Sequence, residues 1–480
     1  MLFNSYEFIF IFLPITFLGF FLLSNYCGKK TAILWLVLAS FFFYGWWDFR
    51  YVPLLFGSIC FNYLVGRKIE EHSRRKLWLL FGIVINVALL GYFKYTGFFL
   101  NTVNTLVGTD WLDMSHIVLP LGISFFTFTQ TAYLIDSYRG ETKNHSFLTY
   151  CEFVTIFPHL IAGPIINHRN MIPQFTDSKN FSLDYQNIAM GISLFTMGLF
   201  KKVVIADTLS PWVGKIFVRA DSLTFIEAWI GALGYTFQLY FDFSGYSEMA
   251  IGLALMFNMK FPTNFNSPYQ ATSVIDFWRR WHMTLGLWVK NYLYIPMGGN
   301  QHGEIKKMCN LFISMLIIGL WHGAGWTFVF WGGLHGVFLI INHQWRRLKI
   351  NLPQAVNWFL TFMCAVVAWV FFRAETFHDA VAVLSAMMDF GNIAFPNGGK
   401  YMHYLGFLSD FGITFKQMEF FTVPVVLIGV LMLVLIICPN PQKMLFGFHT
   451  NKKWLFAMLI LGIWTLCFFS QVSDFLYFQF

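Results

Sequence analysis

The residues best suited to chemistry in this sequence are histidines in apolar surroundings. His322 and His335 lie in "GLWHGAGWTFVFWGGLHG", Gly319–Gly336, and no Asp, Glu, Lys or Arg occurs from Leu311 to Asn342. Histidine is the side chain that moves protons near neutral pH. A neutral imidazole can take the proton of an acceptor hydroxyl, whose oxygen then attacks a thioester or ester carbonyl. Trp321 and Trp326 on either side are expected to wall such a site against water. Gly323 and Gly325, directly after His322, suggest that backbone or substrate comes close. His322 and His335 are 13 residues apart. On one continuous helix that is about 20 Å of rise and roughly 220° of rotation. They would not share a metal, and the stretch offers no carboxylate or thiolate to complete one.

Polar residues inside apolar sequence are costly and tend to line cavities or pathways. Three other places stand out. Phe157–Phe175 carries Pro158, Pro164, Pro173, Gly163, His159 and His168. That density does not make a straight helix. It reads as a re-entrant or interfacial element, or else as a surface loop. Gln238–Met249 carries Asp242 and Glu248, either at a helix break near Ser244-Gly245 or shaping a polar lumen. Asp276–Asn300 interleaves Arg279, Arg280, His282 and Lys290 with Trp278, Trp281, Trp288 and Tyr292, and also carries Asn291. This pattern suits a helix at the membrane interface, anchoring to headgroups or meeting a phosphorylated ligand.

These elements sit in a membrane protein. The 480 residues are 57% hydrophobic and 12% charged, against about 25% charged in soluble domains. Uncharged runs of spanning length are Phe8–Ser24, Thr31–Trp47, Leu77–Phe93, Ala355–Phe372, Phe421–Cys438 and Trp454–Ser473. Weaker runs are Tyr51–Gly66, Ile117–Ile135, Ile188–Ile205, Ala228–Asp242 and Ser244–Phe257. Together they predict about 11 membrane segments in an all-α polytopic protein. The first run lacks a signal peptide's basic start and cleavage site and reads as a retained helix.

The net charge of +8 is not a nucleic-acid signature, because the cations cluster in short loops: Lys29–Lys30, Arg67–Lys76, Arg346–Lys349 and Lys443–Lys453. The positive-inside rule puts those loops in the cytoplasm. Thr96–His116 and Arg373–Glu419, and both termini, then face outward. Seven cysteines without a CxxC pair read as small buried hydrophobes. The chain reads as one membrane domain, 1–480, with a catalytic core over roughly residues 117–345.

The motifs together resemble the membrane-bound O-acyltransferase superfamily, and within it the bacterial alginate and peptidoglycan O-acetyltransferase branch. The resemblance rests on "FFYGWWDFRYVPLL", "LGISFFTFTQTAYLIDSYRGE", "FPHLIAGPI", "YFDFSGYSEMAIGLALMFN", "FWRRWHMTLGLWVKNYLYIPMGGN" and the opening stretch, in that order along nearly the whole chain. It implies tilted helices, with re-entrant or interfacial ones, around a central funnel or tunnel. It implies that His322 is the catalytic residue and that His282, in Arg-Trp-His, lines the same pore. Trp321, Trp326, Arg279, Trp281, Asp242, Asn291 and His159 are the further residues expected to line it, and His335 is expected to be structural. No bound cofactor or metal is implied. Acetyl-CoA is the expected donor, in the bacterial inner membrane, and an extracytoplasmic polysaccharide the acceptor. The outward loops are too short to hold a further domain of about 100 residues, so the partner of SGNH-hydrolase type that completes transfer in this branch is expected to be a separate protein.

Three other readings compete. D-alanyl transfer to teichoic acid belongs to a related branch. A secondary transporter or lipid flippase would also use broken helices with buried polar groups, but no two-fold repeat is seen. A scaffold for glycan export would tolerate loss of His322. No Gly-x-Ser-x-Gly elbow and no phosphate-binding loop occur.

Overall fold

The computed structural model describes residues 1–480 except 109–116, 143, 144, 412, 420, 446, 450, 470–475 and 477–480. Among the described residues the chain is all-α apart from one short parallel strand pair, β1 (Ala394–Pro396) and β2 (Thr414–Lys416). It opens with a π-turn, Phe8–Phe12, leading into α1 (Leu13–Cys27), then α2 (Lys29–Gly45), α3 (Val52–Glu71) and α4 (Arg75–Leu90). A second π-turn, Gly91–Tyr95, carries α4 into α5 (Thr96–Val107). The outward loop expected from Thr96 is therefore helical to Val107, and its remainder, 109–116, lies outside the described residues.

Next come α6 (Ile123–Arg139), α7 (Phe147–Thr155), α8 (Phe157–Leu160) and α9 (His168–Met171). Between α8 and α9 the proline-rich backbone is broken, and every residue from 157 to 166 is buried. This is the placement that irregular backbone needs at membrane depth; the surface-loop alternative is set aside.

A third π-turn, Lys201–Ala206, joins α10 (Tyr185–Phe200) to α11 (Asp207–Val218). The helix α12 (Phe225–Met256) then runs unbroken for 32 residues. Its start is fixed by a capping box: the Thr224 hydroxyl accepts from the Glu227 N–H, and the Glu227 carboxylate accepts from the Thr224 N–H. The two spans expected here, Ala228–Asp242 and Ser244–Phe257, are thus one helix, with no break at Ser244-Gly245. Nearly all of it is buried, and α10, α11, α17 (defined below) and their neighbours wrap it. Its closest approach is to α10. A Cβ on Gly198 would lie 2.5 Å from the Gly245 carbonyl oxygen, and one on Gly245 2.6 Å from that of Gly198. Small residues at such crossings let membrane helices pack backbone to backbone.

The remaining helices are α13 (Val274–Arg280), α14 (Met283–Val289), α15 (Gly303–His322), α16 (Trp326–Leu348), α17 (Gln354–Arg373), α18 (Phe377–Met388), α19 (Gly399–Leu405), α20 (Thr422–Ile437), α21 (Pro441–Met444) and α22 (Lys452–Cys467). Among the described residues, four helical stretches, Phe8–Cys27, Arg75–Val107, Tyr185–Val218 and Gln354–Arg373, are long and apolar enough to cross a membrane. Large apolar side chains such as Leu18, Phe42, Val87, Leu433 and Ile463 stand exposed on the outside, as lipid-facing residues do. The cysteines are less buried than expected. Cys151 alone is buried, whereas Cys27, Cys309, Cys438 and Cys467 are exposed; on helices that face lipid a small thiol needs no protein around it.

Candidate active site

The stretch from Gly319 to Gly336 is a hairpin, not one helix. α15 ends at His322, Gly323 is extended at φ −151°, and α16 starts at Trp326. The crossing is tight because glycines face each other: a Cβ on Gly319 would lie 2.3 Å from the Phe328 carbonyl oxygen, and one on Gly332 2.3 Å from that of Met315. Gly323 is small for a related reason, since its Cβ would strike the Phe328 ring. The glycine thus makes room for a packed side chain rather than for substrate.

His322 is 5% exposed and enclosed by rings. Its ring centroid lies 4.9 Å from Trp321, 5.3 Å from Trp331, 5.4 Å from Phe372 and 6.1 Å from His282. Trp321 continues into a stack with Phe128 and then Trp288. Trp326 does not form the opposite wall as expected. It is 54% exposed, and its indole N–H donates to the Thr102 hydroxyl. Trp331 and Phe372 take that place.

His282 is put beside His322 by a kink. It sits in the left-handed region, φ 43° and ψ 53°, between α13 and α14, an uncommon conformation for a non-glycine residue. Asn264 pins the kink: its carbonyl oxygen accepts from the Met283 N–H, its side-chain oxygen accepts from the Thr284 hydroxyl, and its amide donates to the Ser247 hydroxyl. Thr284 in turn accepts from the Ile165 N–H, which ties the broken segment to the kink. His282 is 1% exposed, stands 4.7 Å from the Phe243 ring, and has no hydrogen-bond partner on either ring nitrogen among the described residues. Buried polar atoms are nearly always paired, which makes the His282 ring a candidate for contact with a bound molecule.

Two cavities approach this pair from opposite helix ends. The larger, 1160 Å³, is lined by Arg279, Lys290, Lys307 and His343 near the basic loops, and reaches inward to Met283, Thr284 and Ile318. The smaller, 310 Å³, is lined by His322, Trp321, Lys94, Ser124 and Trp47, at the ends of α15 and α2 remote from those loops. Met283 follows His282 in the chain, and Ile318 is one turn before His322.

The other expected residues are placed as follows. Arg279 is exposed on the wall of the larger cavity. Trp281 is buried, 4.8 Å from the Trp369 ring and 5.7 Å from that of Phe277. Asn291 lies on a π-turn, Lys290–Tyr294, where its carbonyl accepts from Arg139. His159 is buried in α8, and Ile161, just beyond it, lines the smaller cavity. Asp242 shapes no lumen: its carboxylate is 2.5 Å from the Lys202 ammonium, which also holds Asp207 at 2.8 Å. Glu248 pairs with Lys201 at 2.6 Å. His335 accepts a hydrogen bond at Nδ1 from the Trp278 indole and packs between Trp278 and Trp331. Within Asp276–Asn300, Trp281 and His282 are thus buried, whereas Arg279 and Lys290 are exposed. Among the described residues no group of three or more His, Cys, Asp or Glu side chains could hold a metal.

Residues 77–374 match the membrane-bound O-acyltransferase family. The chain belongs to that family and is an acyltransferase of the multi-pass membrane type. It is 44% identical to a peptidoglycan O-acetyltransferase of Helicobacter pylori, over 100% of this chain and 98% of that protein. It is 43% identical to the "Probable alginate O-acetylase AlgI" of Pseudomonas aeruginosa, over 82% of this chain and 75% of the relative. A teichoic acid D-alanyltransferase of Streptococcus thermophilus is 26% identical, over 49% of this chain and 59% of its own length.

Proposed function

We propose that the protein O-acetylates an extracytoplasmic glycan, drawing acetyl groups from acetyl-CoA on the cytoplasmic side of the bacterial inner membrane. The observation that carries this is the His282–His322 pair, rings 6.1 Å apart, between two cavities at opposite helix ends. The positive-inside rule, applied to the basic loops, supports a cytoplasmic position for the larger cavity. Its Arg279, Lys290 and Lys307 suit the phosphates of a CoA donor. In the reaction the His322 imidazole takes the proton of an acceptor hydroxyl, and the oxygen attacks the acetyl carbonyl. The carbon–sulfur bond then breaks, and the proton passes to the departing thiolate, releasing CoA as the thiol. His282, open at both ring nitrogens, lies close enough to bind the acetyl oxygen or relay the proton. The acceptor side we assign to a separate extracytoplasmic partner of SGNH-hydrolase type, which hands the acetyl group to the polymer.

The relatives at 44% and 43% identity act, by name, on peptidoglycan and alginate, and the first spans this whole chain. The D-alanyltransferases match only about half of it, 49%. Ester analysis of the purified cell-wall and secreted glycans of a deletion strain decides between them. Loss of ester-linked acetate from one glycan, restored by wild type but not by His322→Ala, is the expected result and names the acceptor. Loss of ester-linked D-alanine instead, with acetate intact, refutes the acetyl reading.

A further inference from the structure

A helix end leaves its last carbonyls without N–H partners. α15 ends in the middle of the site, so its terminal carbonyls are buried and must be satisfied from elsewhere. The Gly319 carbonyl accepts from the Gly323 N–H. The next three do not have that option, because the chain turns away into the extended Gly323. All three are met by the π-turn Gly91–Tyr95. The Tyr95 hydroxyl donates to the Leu320 carbonyl at 2.9 Å, and the Lys94 ammonium donates to Trp321 O at 2.5 Å and His322 O at 3.2 Å.

Lys94 is the sole formal charge between Lys76 and Asp110. It makes no ion pair with a carboxylate among the described residues. Its third contact is the Ser124 hydroxyl at 3.5 Å, and it lines the 310 Å³ cavity together with His322. A cation is favoured where helix carbonyls converge, but an unpaired ammonium in an apolar span is costly and by default marks function. A neutral cap would satisfy the same carbonyls at less cost.

We propose that Lys94 is a positioning residue for His322: its ammonium clamps the last two carbonyls of α15 and so fixes the ring against the outward cavity. This rests on the acyl-transfer reading above. A catalytic ring displaced by about 1 Å loses about 100-fold in rate, and Lys94 touches the backbone of the very residue that must be held. It lines the smaller cavity and is not among the residues lining the larger one, so donor binding is not expected to depend on it.

The test is steady-state kinetics of the purified full chain, with its acceptor system, in lipid vesicles, using acetyl-CoA. Lys94→Met, of similar length and uncharged, is expected to lower kcat about 100-fold with KM for acetyl-CoA unchanged. Lys94→Arg keeps two donors and a charge, and is expected to stay within about 10-fold of wild type. Should Lys94→Met fail to accumulate, Lys94→Gln takes its place with the same expectation. Wild-type kcat in the neutral variant, or a raised KM with kcat unchanged, overturns the proposal. A wild-type protein that transfers no acetyl group would refute the parent reading instead, so the two failures are distinct.

Discussion

Two buried polar clusters occupy the same membrane domain and are treated in opposite ways. Around α12, each lysine is matched to carboxylate: Lys202 with Asp207 and Asp242, and Lys201 with Glu248, all between 2.5 and 2.8 Å. At the end of α15, the rings of His282 and His322 meet chiefly other rings, and both nitrogens of His282 are left open. Burying charge without a counter-charge is costly, so each carboxylate of the first cluster is neutralised by a lysine where the helices pack. In the second, no carboxylate pairs with the one cation, Lys94, among the described residues; the carbonyls of Trp321 and His322 meet its ammonium instead. Paired charges mark the cluster that holds helices together, and clustered histidine rings the one we assign to chemistry.

The sharpest way to break this contrast is to unbalance the first cluster. Lys202→Met leaves Asp207 and Asp242 buried without their cation and should destabilise the protein by about 3–5 kcal/mol. The measurement is thermal unfolding in detergent, and an unchanged midpoint would mean the cluster is not structural. Next in size is the second cluster. His282→Asn keeps a residue that accepts the left-handed backbone but removes the ring. It should cut acetyl transfer by about 100-fold while the unfolding midpoint moves little, since no hydrogen bond is lost. A variant with full activity would remove His282 from the chemistry. The smallest effect belongs to Trp278→Phe. It deletes the one bond to His335 Nδ1 and should cost about 1 kcal/mol of stability with little change in rate. A large rate loss with full stability would move His335 from packing to catalysis.

What could be read in the sequence follows the same divide. The all-α membrane class and the candidate stretch around His322 are local properties of composition and spacing, and they are visible in one dimension. Partners distant in sequence are not. Asp242 and Glu248 look like the ends of two helices because Lys201 and Lys202, which neutralise them, lie some 40 residues earlier on a different helix. With those cations supplied, α12 can pass through unbroken. Trp326 follows the histidine closely but faces outward, because the Gly323–Gly325 turn reverses the chain before it. Lys94 ends an apolar run and so looks like a boundary residue. A lone cation followed at once by Tyr-Thr-Gly-Phe-Phe, with no second charge until Asp110, was the available signal. The kink at His282 depends on Asn264, which no local pattern connects to it.

The central claim is that the ring at position 322 does chemistry and does not hold the fold. The most direct measurement is acetyl transfer from labelled acetyl-CoA by wild type and His322→Ala, reconstituted in vesicles with the acceptor system and matched for folded protein by thermal unfolding. The account predicts a midpoint close to wild type and a transfer rate at least about 1000-fold lower. A folded His322→Ala protein that transfers acetyl groups at the wild-type rate would contradict it.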